Sequence, residues 1–80
     1  MDELLLLVVY SISPVDGSKR LFIKEFVSSK QAAAIVLWNY GIHAYLIEMG
    51  VYLASLYNIN LDTKEIKAVS IPTIEFKEDS

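Results

Sequence analysis

His43 is the only histidine in these 80 residues and the first place to look for chemistry. An imidazole titrates near neutrality and ligates metals. A metal site, however, needs three or four ligands, and no second histidine, cysteine or paired carboxylate stands at ligand spacing from it. Glu48 is the one full charge between Gln31 and Leu61. Its spacing from His43 puts the two side chains on opposite faces of a regular strand, which does not favour joint acid–base work. The serines have no base beside them: Ser28-Ser29-Lys30 matches neither Ser-x-x-Lys nor Gly-x-Ser-x-Gly. Asp62 and Glu65 suit a turn and lack EF-hand spacing. Gly17, Gly41 and Gly50 lie too far apart to form a phosphate-cradling loop. These residues predict a non-enzymatic protein with no metal and no cofactor.

The aromatic residues carry more information. Tyr45, Tyr52 and Tyr57 crowd one region, just after Trp38 and Tyr40. Tyrosine and tryptophan combine large apolar area with a polar handle, which suits both interfaces and cross-strand packing. If they line a cavity, then Tyr45, Tyr52 and Tyr57, with Asn58 and Asn60, are the candidates for a small-ligand pocket. Stacking on nucleic-acid bases is a poorer fit, because it goes with a positive groove. The net charge is −3 and Lys19-Arg20 is the only basic pair, so no nucleic-acid partner is expected.

The element that must position these residues is a helix over residues 28–40. Ser28 or Ser29 suits the N-cap, and Ser28-x-x-Gln31 has capping-box spacing. Three alanines follow, and Gly41 suits the stop. Ala33, Val36, Leu37 and Tyr40 form one apolar stripe, expected to face Phe22, or Leu21 and Ile23. Ala34, Ile35 and Trp38 form a second, about 100° round the axis. One small sheet needs only one stripe, so the second is the predicted interface, with Trp38 as its anchor.

The rest of the chain reads as strands. Residues 4–13 are apolar and then alternating, which suits a strand covered on both faces. Pro14-Val15-Asp16-Gly17-Ser18 is turn chemistry. Residues 20–27 form a second strand, with Phe22, Lys24 and Phe26 on one side and Leu21, Ile23, Glu25 and Val27 on the other. Residues 42–49 read as a strand, though 44–57 also fits a helical face that Gly50 would interrupt. Residues 51–61 alternate, with Val51, Leu53, Ser55, Tyr57 and Ile59 opposite Tyr52, Ala54, Leu56, Asn58 and Asn60. A polar loop at 62–65 leads to a last strand ending at Pro72, and 73–76 continue extended along an edge. The expected fold is α+β: a small antiparallel sheet of four to five strands in ββαβββ order, with one helix on a face. It forms a single domain over 1–80, with mobile ends at 1–3 and 77–80.

Hydrophobic residues make up 54% of the chain, which is high for a domain with so much surface to keep wet. Oligomerisation is one way to stabilise such a chain. The absence of cysteine fits a reducing cytoplasm. Asn39, His43, Glu48, Asn58 and Asn60 break up the apolar stretches, so no membrane association is expected. Taken together, the chain resembles in type the small accessory proteins of phages and other mobile elements, many of which bind and block a host protein. That resemblance implies a protein-interaction module, homodimeric and able to contact a second protein. A ligand-binding oligomer with a tyrosine-lined pocket is the alternative.

Overall fold

The computed structural model describes residues 3–72. The ends expected to be mobile at 1–2 and 77–80, and the extended continuation at 73–76, lie outside the described residues. Glu3 sits in the first strand opposite Asn60.

Among the described residues six elements run in ββααββ order: β1 Glu3–Ile12, β2 Lys19–Val27, α1 Lys30–Asn39, α2 Ala44–Glu48, β3 Tyr52–Asn60 and β4 Ile66–Val69. The strands make one antiparallel sheet in the order β2-β1-β3-β4. This is the expected α+β architecture with four strands. The first hairpin closes through Ser13 N–H to the Ser18 carbonyl at 2.8 Å, with Gly17 at φ 74°. The second closes through Asn60, whose Oδ1 accepts from the N–H groups of Asp62 and Thr63.

Helix α1 starts at Ser29, whose Oγ accepts from Ala32 N–H at 3.0 Å. The cap is one residue later than the Ser28-x-x-Gln31 box requires, so that box does not set the start. Ala33 and Leu37 are buried in one cluster with Leu7, Val9, Ile23, Ile42 and Leu56. Tyr40 meets Phe22 edge-on, at 5.8 Å between ring centres. The first apolar stripe therefore faces the sheet as expected.

The strand expected over 42–49 is replaced by α2, a five-residue helix. The reason lies in how both helices end. Gly41 takes φ 74° and donates to the Trp38 carbonyl, while Ile42 N–H reaches the Leu37 carbonyl at 2.9 Å. Gly50 takes φ 80° and donates to the Ile47 carbonyl, while Val51 N–H reaches the Leu46 carbonyl at 2.9 Å. Both are Schellman closures, which need a residue that adopts left-handed φ without strain. Gly50 thus stands just past a helix and not inside one, which removes the objection that a mid-helix glycine would raise. Gly41→Ala and Gly50→Ala should each cost about 1–2 kcal/mol, the strain of an L-residue in this region. Urea denaturation checks this. A loss below about 0.3 kcal/mol at both sites would mean that the closures are not what ends the helices.

Between Val9 and Tyr10 the β1–β2 register slips by one residue, leaving Phe22 as the extra residue of a bulge. The bulge corrects the expected facing of β2. Phe22 stacks on Tyr52 at 5.8 Å and meets Tyr40, so it lies with Ile23 on the helix side. Leu21 pairs with Tyr10 and joins Lys24 and Phe26 on the other side.

Asp16 in the first turn is held below the usual carboxylate range, chiefly because its Oδ1 accepts from Ser18 N–H at 3.0 Å. A lowered folded-state pKa adds stability above the unfolded value, and that stability is lost as pH falls through the folded one. Asp16→Asn should therefore be less stable than the parent at neutral pH, and the gap should close on acidification below the carboxylate range. Melting temperatures of the pair at the two pH values test this. A gap that does not change with pH would remove the carboxylate from the account.

Candidate functional site

The two faces of the sheet are unequally covered. Cross-strand partners point the same way, so the register sorts every strand residue to a face. One face carries Leu5, Leu7 and Val9 of β1, Ile23 and Val27 of β2, Ala54 and Leu56 of β3, and Val69 of β4. All of these pack in or against the buried cluster under α1 and α2.

The opposite face reads row by row as Lys19–Ile12, Leu21–Tyr10–Leu53, Lys24–Val8–Ser55, Phe26–Leu6–Tyr57–Ala68 and Leu4–Ile59–Ile66. Tyrosine hydroxyls aside, Lys19 at one end and Lys24 and Ser55 near the centre are the polar side chains in those rows. No described helix covers this face. Phe26 is 62% exposed, Ile66 64% and Leu21 50%. Val8, at the centre, is 9% exposed and takes no part in the core cluster. The backbone spans 16 Å in its thinnest direction, the depth of the sheet and one helical layer. Strand spacing and rise give this face a plane on the order of 500–600 Å². Contiguous apolar patches of that size mark contact surfaces.

The helix side carries a second feature, a groove of about 900 Å³ between the helices and the β3–β4 half of the sheet. Its floor includes Leu37, Ile42, Leu56 and Val69, and Trp38, His43 and Tyr45 line it from the helix side. Trp38 meets His43 edge-on at 4.6 Å, and His43 stacks on Tyr45 at 5.9 Å.

The residues singled out from the sequence are distributed across these features. Of the second helix stripe, Ile35 is 52% exposed and Trp38 is 38% exposed at the groove, but Ala34 is buried. Ala34 lies about 60° from Leu37 around the axis and so turns inward with it. The stripe is therefore not one continuous exposed patch. Tyr45 lines the groove from the helix side and Tyr57 borders it along β3, with its side chain turned by the register to the opposite face, whereas Tyr52 packs on Phe22. Asn58 and Asn60 border a separate cavity of about 160 Å³ with Glu3, Glu65 and Lys67, and the Asn60 carboxamide is engaged in its turn. The structure does not bring these five together.

His43 occupies the N-cap of α2 and Glu48 is its last residue, so they stand at opposite ends of the helix. Among the described residues no three His, Cys, Asp or Glu side chains gather at metal-binding distance, and no polar or charged side chain is buried. No helix among the described residues is long and apolar enough to cross a membrane. Sequence reading placed the surplus apolar surface on the helix and missed the open sheet face. The signal was present, because β1, β2 and β3 each carry apolar residues on both alternating sides. No protein-family model, curated protein or solved structure matches the chain.

Proposed function

We propose that this chain is a non-catalytic, cytoplasmic protein-interaction module that acts as a homodimer, of the accessory type that binds and blocks another protein. The observation that supports the reading is the open sheet face, with Leu21, Phe26, Leu53 and Ile66 exposed around a nearly dry Val8. An apolar sheet face of this kind is stable in water when another layer covers it. Self-association supplies that layer without a second gene product. It leaves the Trp38 groove pointing outward on both copies, available to a target protein.

Light scattering over a concentration series tests the dimer. The expected mass at micromolar concentration is twice the 9.0 kDa of the chain. A mass of 9.0 kDa throughout would overturn the homodimer. A ligand-binding oligomer is a second reading, favoured by the groove volume, which lies within the range of small-molecule sites. A metabolite that raises the melting temperature with concentration would support it, since a ligand confined to the native state stabilises by mass action.

A further inference from the structure

We infer that two copies pack sheet on sheet about a two-fold axis running along β1, so that Lys24 of each copy lies over Ser55 of the other. The inference rests on the homodimer reading above and adds to it which face is covered, by what, and in which orientation.

A two-fold dimer is isologous, so the same patch must complement itself. For two sheets packed face to face, the axis lies between them, either along the strands or across them. Strand β1 has β2 on one side and β3 on the other. An axis along β1 therefore exchanges the β2 column of one copy with the β3 column of the other. Three rows then match. Leu21 meets Leu53, Phe26 meets Tyr57, and Lys24 meets Ser55, while Leu6, Val8 and Tyr10 meet their own copies on the axis. Within these three rows every apolar position opposes an apolar or aromatic one, and Lys24 opposes a hydroxyl that accepts a hydrogen bond from it.

Lys24 sits on an edge strand, so its stem can lie over the interface with its ammonium at the wet margin. An axis across the strands through the Lys24–Val8–Ser55 row would set Lys24 directly over its own copy. Opposed like charges count against that arrangement. Aligned sheets cross at about 30° because each is twisted, so the matches hold best in the central rows. The two faces together bury on the order of 1,000–1,200 Å², enough for a specific interface.

Cysteine-directed crosslinking tests the orientation cleanly, because the chain has no cysteine of its own. Packed sheets stand about 10 Å apart, a gap that a short bis-maleimide spans. Lys24→Cys and Ser55→Cys are made separately, confirmed as dimers by light scattering, then mixed, allowed to exchange and treated with the reagent. The mixture should give at least five times more covalent dimer than either variant alone. Strong crosslinking of Lys24→Cys by itself would overturn the axis along β1. A protein that is dimeric but uncrosslinked in every combination would overturn the sheet-face contact altogether. If either variant fails to fold, Phe26→Cys with Tyr57→Cys probes the adjacent row with the same expected pattern. A parent chain that stays monomeric fails in the light-scattering measurement, before this experiment begins, which separates the failure of the homodimer reading from that of the orientation.

Discussion

Leu56→Ala should lower folding stability by about 3–5 kcal/mol, the range for a fully buried leucine replaced where the site cannot collapse. Leu56 is 1% exposed, pairs with Leu7 across β1 and with Val69 across β4, and belongs to the cluster beneath α1. That cluster contains Leu7, Val9, Ile23, Ala33, Leu37, Ile42 and Leu56, so there is little neighbouring mass to fill a void. Typical stability per residue gives a domain of this size about 4–12 kcal/mol in total. The substitution therefore removes at least about a quarter of that total and, at the lower end of the range, all of it. Leu53→Ala, three residues earlier on the same strand but on the open face, should cost the monomer less than about 1 kcal/mol. Urea titrations of the two variants, run at concentrations where the parent is monomeric, make the comparison. Equal losses would mean that the two faces do not differ in burial as described.

How much of this was legible beforehand depends on the range of each signal. The alternation of β3 was readable because Leu53, Tyr57 and Ile59 stay on one side and Ala54 and Leu56 on the other along an unbroken strand. The facing of β2 was not, because the bulge at Phe22 depends on pairing with β1 and has no local marker. Helix α2 is five residues long, too short for a periodic pattern to declare itself. Its ending did carry a mark. Leu37 to Gly41-Ile42 and Leu46 to Gly50-Val51 share one spacing, and both close a helix in the same way. The apolar run in β1 was read as covered on both sides, but a sequence does not say what does the covering. The helices cover one side, and no described element covers the other. The helix stripe of Ala34, Ile35 and Trp38 drew notice because helical periodicity is easy to score. The larger patch is assembled only when four strands come together.

Phe26→Lys combined with Leu53→Lys should convert the proposed dimer to a monomer, while Trp38→Ala should leave it intact. Phe26 and Leu53 lie on strands either side of β1, opposite Leu6 and Tyr10, about 16 Å apart by strand spacing and rise. At that distance their effects should add. Loss of an apolar anchor at the centre of an interface typically costs about 2 kcal/mol, near 30-fold in Kd, so the pair should weaken association by roughly a thousandfold. Both side chains are exposed in the single chain, Phe26 at 62% and Leu53 at 39%, so the variant keeps its fold, with a penalty of up to about 1 kcal/mol for lysine in a strand. Trp38 lies on the helix side beside His43 and takes no part in the sheet face. Its replacement should leave the scattering mass unchanged and weaken capture of a target protein at the groove. Sedimentation of the two variants beside the parent tests the division between the surfaces. If Trp38→Ala dissociates the dimer and the double lysine variant does not, the self-contact lies on the helix, and the open sheet face is left for a different partner.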